Sequence, residues 1–345
     1  MKRRTTLVLG SLAALLPLTS LPSVVGAAEF RTAQVKAPIP QSDDKVTVTP
    51  LSFEVTNPGE NGAAYTIQTY LYEPKGAEGC KSSVLQANHA LTTGRWYWDL
   101  PYENEKYSIA RKIARNGIPF LAYDKLGYGT EEPDGNTLTV ENLAAVSSQI
   151  TDQLRAKGYE HVGLMGHSAG SEESELQAAI YQNIDALVVS GYNHFPTNEF
   201  GEQFIKEELP RTQESDYVYF FGDEPLRDHF LFTENADPKV VESIHPFVNN
   251  TPSGEITSIG KQPSRLLVNR IDVPTAILVA EDDRIFDSAR ADDELKLWTS
   301  ATDISNIRFD GIGHGVEFHR NGPEVTQAVA DWLLARPEAM PACSR

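Results

Sequence analysis

His161-Val162-Gly163-Leu164-Met165 leads directly into Gly166-His167-Ser168-Ala169-Gly170, an apolar run that ends in G-x-S-x-G. A short apolar run of this kind reads as a buried strand. The pentapeptide then sets a serine on a tight strand-to-helix turn, its hydroxyl clear of the backbone, where small neighbours permit the crowding. Gly166 and Gly170 are those neighbours. Alone the pentapeptide carries little weight, so the reading depends on a base, an acid and oxyanion donors elsewhere in the chain.

Outward from this turn the chain alternates between strand and helix. Val84-Leu85-Gln86-Ala87, Phe120-Leu121-Ala122-Tyr123, Ala186-Leu187-Val188-Val189, Thr275-Ala276-Ile277-Leu278-Val279 and Ile307-Arg308-Phe309 read as buried strands. Tyr107, Ile109, Ala110, Ile113 and Ala114 mark one helix face, ended by Gly117, and Leu143, Val146, Ile150 and Leu154 mark another. A closing helix runs from Val325 to Leu334. The order predicts an α/β fold, a mostly parallel sheet covered by helices on both faces. Val46 to Tyr72 instead alternates residue by residue around Asn57-Pro58-Gly59 and Asn61-Gly62, which predicts an antiparallel start.

The alternation lapses between residues 192 and 272. That stretch carries the aromatic run Tyr217-Val218-Tyr219-Phe220-Phe221 and a helix start at Asp237-Pro238, and it is far longer than an ordinary connection. It is expected to be a cap or lid inserted between core segments 29–191 and 273–345. Ahead of them, Lys2, Arg3 and Arg4 precede an apolar stretch from Leu7 to Leu18 and the small residues Val25-Gly26-Ala27-Ala28. Residues 1–28 therefore read as a cleaved signal peptide, and the mature chain is expected outside the cytoplasm, secreted or periplasmic, without a membrane anchor. The two cysteines, Cys80 and Cys343, are either bridged to each other, as an oxidising compartment would allow, or two separate thiols. A formal net charge of −18 argues against a nucleic-acid partner.

A serine hydroxyl needs an imidazole to take its proton and a carboxylate to orient that imidazole. After an elbow serine the order is acid, then histidine. Ala280-Glu281-Asp282-Asp283 follows the Thr275 to Val279 strand, and Gly311-Ile312-Gly313-His314-Gly315 follows the last strand. With these motifs, and with Asp124-Lys125-Leu126-Gly127-Tyr128-Gly129 after the Phe120 strand, the chain resembles the α/β-hydrolase superfamily from about Val46 to Leu334, of the secreted, esterase- or lipase-like kind. The resemblance implies Ser168 as nucleophile, His314 as base and Asp283 as acid, with Asp282 the alternative. It implies oxyanion donors at the Ala169 N–H and in Asn88-His89-Ala90-Leu91-Thr92, at Leu91 or, because Ala90 replaces a usual glycine, at Ala90 itself. His89 and His167 are expected to orient loops, and His194 is a candidate to face the cleft.

A serine at the elbow implies an acyl-enzyme, so the expected substrate is a small-molecule carboxylic ester or lactone. Asn88, Thr92, Trp96, Tyr217 and Tyr219 are candidates to line its pocket. No close cluster of histidine, cysteine and carboxylate has the spacing of a structural zinc site, so no metal or other cofactor is expected. Glu172 and Glu173, early in the helix after the serine, are accounted for by the helix dipole. Two other readings stand: a peptidase or amidase of the same fold, using an acidic cap residue for a substrate amine, and a non-catalytic ligand-binding protein.

Overall fold

Two long strands, β1 (Val46–Asn57) and β2 (Ala63–Pro74), pair antiparallel from Val46 against Pro74 to Asn57 against Ala63. Asn57 makes their turn: its side chain accepts from the Gly59 N–H at 3.0 Å, and Asn61 and Gly62 follow with φ of 56° and 78°. Pro50 is tolerated within β1 because β1 is the outermost strand, where a missing donor interrupts no second ladder. This is a computed structural model, and it describes residues 36–102, 106–129, 131 and 133–343. The expected signal peptide lies outside the described residues.

Strand and helix then alternate as β3 (Ser83–Asn88), α1 (Ile109–Arg115), β4 (Phe120–Tyr123), α2 (Val140–Ala156), β5 (His161–His167), α3 (Ala169–Tyr181) and β6 (Ala186–Ser190). Short elements follow: α4 (Asn198–Gln203), α5 (Leu209–Arg211), β7 (Tyr217–Val218), α6 (Glu224–Leu231), α7 (Pro238–Ile244), β8 (Thr251–Pro252) and α8 (Ser253–Ile259). The alternation resumes with β9 (Thr275–Ala280), α9 (Ala291–Leu295), β10 (Ile304–Phe309) and α10 (Gly322–Leu334). β10 starts three residues before the apolar signal, since Ile304, Ser305 and Asn306 already pair with Thr275, Ala276 and Ile277. Two polar residues hid those positions.

The main sheet has the order β1-β2-β4-β3-β5-β6-β9-β10, parallel from β4 to β10. Leu143, Val146, Ile150 and Leu154 of α2 pack on one face against Phe53, Leu121 and Val162. On the other face α1 and α10 bury Ile109, Ile113, Val325 and Val329 around Trp98 and Phe120. From β3 the chain steps out to β4 and then crosses back to β5, so the strand order reverses at β3. Ligand crevices form outside the carboxyl ends of strands at such a point. Asn88 at the end of β3 lies beside Gly166 of β5, which fixes that crevice at Ser168.

The two cysteines are bridged, with a Cα–Cα distance of 6.0 Å, and the tail is further held by Cys343 N–H to Gly117 O at 2.7 Å and Ser83 Oγ to Pro341 O at 2.7 Å. Among the described residues no helix is long and apolar enough to cross a membrane.

Candidate active site

Ser168 joins β5 to α3 with φ 52° and ψ −119°, a strained conformation for a side-chain-bearing residue. The crowding that demands the flanking glycines is explicit. A Cβ on Gly166 would lie 2.3 Å from Gly170 O, and one on Gly170 would lie 2.1 Å from Asn88 O. The turn is locked by Ser168 N–H donating to Ser190 O on β6 at 2.8 Å.

Ser168 Oγ lies 2.9 Å from His314 Nε2, and His314 Nδ1 lies 2.9 Å from Asp283 Oδ2. All three side chains are nearly buried. Asp283 Oδ1 accepts from the N–H groups of Ile285 (2.7 Å) and Phe286 (3.1 Å), which fixes the carboxylate after β9. Asp282 is exposed instead, its N–H spent on Ile312 O. The His314 loop is held by Gly315 N–H on Leu231 O at 2.7 Å and by Gly313 N–H on His319 Nε2 at 3.1 Å. An ionised Asp283 only accepts, so it sets the proton on Nδ1 and leaves Nε2 open to the Ser168 hydroxyl.

The loop after β3 stands across the crevice. His89 Nε2 accepts from the Lys125 N–H at 3.0 Å, which leaves Nδ1 to donate to Ala90 O at 2.8 Å, and burial pushes this imidazole well below its ordinary pKa. Thr92 has φ 62°, costly for a β-branched residue. It is held there from both sides, by its N–H on Thr251 Oγ1 at 3.1 Å and by its carbonyl accepting from Asn249 N–H at 2.6 Å. Among the described residues the N–H groups of Leu91 and Ala169 have no acceptor.

Ser168 and His314 open into a cavity of about 590 Å³ whose wall is mainly aromatic and aliphatic, including Phe200, Phe220, Phe221, Phe286 and Phe318. Thr92, Trp96 and Leu91 belong to that wall. Asn88, Tyr217 and Tyr219 do not. Asn88 is fully buried and bonds to Ser174 and Tyr123, bracing the crevice from within. The Tyr217 hydroxyl donates to Pro133 O at 2.9 Å, and that of Tyr219 accepts from Arg227 at 3.0 Å. The strand part of the run ends at Val218, and beyond it Phe220 and Phe221, the latter at a φ of 48°, both reach the cavity.

Several buried polar groups around the site had no signature in the sequence. Glu317 accepts from the Tyr97 hydroxyl and lies 3.3 Å from Ser190 Oγ, which in turn lies 3.2 Å from His167 Nδ1. The His167 ring stacks on Tyr97 at 4.4 Å and lies 5.2 Å from that of His314. Burial, with His314 nearby, holds His167 well below its usual pKa, and burial raises Glu317 to about 7. Glu172 lies in the first turn of α3, where the helix dipole favours an acid, but both it and Glu173 are buried and held by partners on other elements. Glu173 takes the Lys125 ammonium at 2.6 Å, and Glu255 of α8 takes it at 2.6 Å from the other side. Burial pulls Lys125 down, yet the two carboxylates outweigh it and keep its pKa above the ordinary value.

Glu172 accepts from Ser264 N–H at 2.8 Å, and burial raises its pKa to about 7. With Glu175 and His194 it forms a group whose nearest ligand atoms lie within 4.8 Å of one another, a spacing able to hold a metal ion. His194 does not reach the cavity wall: it lies 2.8 Å from Glu294 and 2.7 Å from Ser264 Oγ, which donates to Glu175 at 2.7 Å. Protein partners thus already use both ring nitrogens.

No protein-family model matches the chain. A 2-succinyl-6-hydroxy-2,4-cyclohexadiene-1-carboxylate synthase of Yersinia pseudotuberculosis is 24% identical over 246 residues, 66% of this chain and 81% of the relative. Among solved structures, a thermophilic esterase from Thermogutta terrifontis superposes with a TM-score of 0.62 at 18% identity, over 83% of this chain and 98% of its own. A putative aryl esterase from Burkholderia cenocepacia gives 0.59 at 14% identity, over 84% and 100%. Strand order, switch-point serine and these neighbours agree: the chain is an α/β-hydrolase by fold.

Proposed function

We propose that this protein is an exported serine hydrolase that cleaves a carboxylic ester or lactone through an acyl-enzyme on Ser168. The reading is carried by one observation, the unbroken run from Ser168 Oγ through His314 to Asp283 at 2.9 Å per step, opening into an apolar cavity. His314 Nε2 takes the Ser168 proton as Oγ attacks the substrate carbonyl. The carbonyl oxygen becomes an oxyanion facing the unpaired N–H groups of Ala169 and Leu91, each worth roughly 10²- to 10³-fold in rate in comparable sites. His314 then returns the proton to the departing alcohol, and a water activated by the same imidazole hydrolyses the acyl-Ser168 ester. Asp283 holds the tautomer and stabilises the imidazolium formed in both steps.

Residues 192–272 act as the cap: they supply Phe200, Phe220 and Phe221 to the wall, and so select the acyl or alcohol group by shape. The leader at 1–28 and the Cys80–Cys343 bridge both fit export to an oxidising compartment. The peptidase reading is weaker, because among the described residues the cavity wall contains no aspartate or glutamate to receive a substrate amine.

A fluorophosphonate probe tests the reading. Wild type is expected to be labelled at Ser168, with labelling lost in Ser168→Ala and His314→Ala, both still folded by circular dichroism. Labelling that persists in Ser168→Ala would put the nucleophile elsewhere. Turnover of aminoacyl-nitroanilides in preference to p-nitrophenyl esters would replace the ester reading by the amidase one.

A further inference from the structure

The cavity wall contains Arg227, on α6, whose side chain is 1% exposed. Its Nη1 donates to the Tyr219 hydroxyl at 3.0 Å, while Nε and Nη2 have no hydrogen-bond partner. Asp228 lies 3.8 Å from Nε, too far for a hydrogen bond, and its carboxylate is taken by His245 Nε2 at 3.0 Å. Nε and Nη2 form the side-on fork of a guanidinium, the edge that binds a carboxylate with two parallel N–H bonds. Elsewhere in this chain that edge is filled in just this way. Arg336 holds Asp303 through Nε and Nη2, both at 2.7 Å, and Arg111 holds Asp99 through the same atoms at 2.9 and 3.1 Å.

The rest of the wall has the same sign. A second cation, Lys261, stands in it exposed and without a carboxylate partner among the described residues. In a chain with 48 acidic residues and a net charge of −18, a wall with two cations and, among the described residues, no aspartate or glutamate is a marked reversal. The unpaired buried polar atoms of the wall residues include two further hydrogen donors, Trp96 Nε1 and the Tyr192 hydroxyl. Asp228 at 3.8 Å offsets part of the charge, but buried Nε and Nη2 donors left without acceptors are costly, and an apolar cavity wall supplies none. The missing acceptor is therefore a part of the ligand.

We propose that the substrate carries a free carboxylate, bound side-on by Arg227 and drawn in past Lys261, so that the enzyme acts on half-esters of dicarboxylic acids or similar acidic esters. This rests on the hydrolase reading of Ser168 and adds the substrate class. Arg227 does not touch the reacting carbonyl; it selects and orients.

The test compares 4-nitrophenyl hydrogen glutarate with its neutral methyl ester in wild type, Arg227→Met and Arg227→Lys. Wild type is expected to prefer the acid, and Arg227→Met to lower the acid-to-neutral ratio of kcat/KM by about 10- to 100-fold, mainly through KM. Arg227→Lys, which keeps the charge but loses the fork, should fall between them. No preference in wild type, or a ratio that Arg227→Met leaves unchanged, overturns the proposal. Calorimetric titration of wild type with glutarate and with neutral glutaramide is independent of turnover and of whether the variants fold. Binding of the dianion alone sustains the carboxylate site even if neither ester is hydrolysed, a result that would sink only the hydrolase reading. Equal binding of both, or of neither, sinks the site itself.

Discussion

Gly170→Ala adds one methyl group at the tightest contact of the candidate site, and its cost can be worked from the geometry. The new Cβ would lie 2.1 Å from Asn88 O, 2.6 Å from Asn88 C and 2.7 Å from His89 O, whereas ordinary contact begins at 3.4 Å. All three atoms are main chain, so no side chain can swing aside. The loop after β3 and the start of α3 must separate by about 1.3 Å. Overpacking of this kind costs roughly 1–3 kcal/mol, and the better helix propensity of alanine returns up to about 1 kcal/mol. A folded but less stable protein is therefore expected. Activity should suffer far more, because the displaced loop carries Leu91, and a donor moved by about an ångström forfeits on the order of 10²- to 10³-fold in kcat/KM. The assay is p-nitrophenyl ester hydrolysis beside a thermal melt. Gly129→Ala serves as control, its Cβ meeting among the described residues only Asp124 Cβ at 3.6 Å, with kcat/KM expected within about threefold of wild type. A folded Gly170→Ala enzyme with kcat/KM within about fivefold of wild type would refute the close-packing argument, and with it the role given to the Leu91 N–H.

Asp283→Asn should lower kcat by roughly 10³- to 10⁴-fold while Asp282→Asn stays near wild type, and equal effects in steady-state kinetics would unseat Asp283 as the orienting acid. Glu317 carries a pH prediction. In the folded chain it titrates at about 7 rather than the ordinary 4.5, so between those values the folded state holds a proton that the unfolded state has released. The stability this gives is complete below pH 4.5 and is lost as pH rises to 7, on the order of 3 kcal/mol. Glu317→Gln cannot ionise, so its unfolding free energy should gain on wild type by that amount between pH 4.5 and 7.5; a gap independent of pH counts against burial as the cause. Replacing both cysteines by serine opens a closure of 263 residues and should cost about 2–5 kcal/mol in denaturant titration, with native spectra retained. Unchanged stability would show that Met340 and the Cys343 backbone suffice to hold the tail.

What could be read in the sequence was whatever repeats or obeys a fixed order. Ser168, Asp283 and His314 stood out because each follows an apolar strand and the three come in sequence, and the structure places His314 2.9 Å from Ser168 on one ring nitrogen and 2.9 Å from Asp283 on the other. The parallel sheet was legible for the same reason: a strand buried on both faces must be apolar throughout. Side-chain direction was not. Asn88 sits one residue from the oxyanion loop, yet it points into the interior, and Tyr217 and Tyr219 turn away from a cavity that Phe220 and Phe221 reach. Buried charge was equally silent. Arg227 lies in Glu224-Pro225-Leu226-Arg227-Asp228, and Glu172 and Glu173 lie at a helix start, contexts that resemble a solvated surface. Only their three-dimensional surroundings distinguish them: Ser264 and Lys125 for the two glutamates, and the cavity wall for Arg227.

The ion pairs of Lys125 limit how the crevice can open. The ammonium sits between Glu173, on the helix that begins beside Ser168, and Glu255 on α8, and the Tyr128 hydroxyl also donates to Glu255 at 2.7 Å. Lifting α8 away would strand Glu255 or the ammonium without its partner in a dry interior, a penalty of several kcal/mol. At the far end of the same segment the ion pairs of α4 are exposed: Lys206 meets Glu202 and His229 meets Glu199 in solvent, and Ile205 is 65% exposed. Parting α8 from the core therefore breaks a buried charge cluster, whereas shifting α4 breaks only exposed ion pairs and hydrogen bonds such as Thr197 Oγ1 on Arg284 O at 2.6 Å.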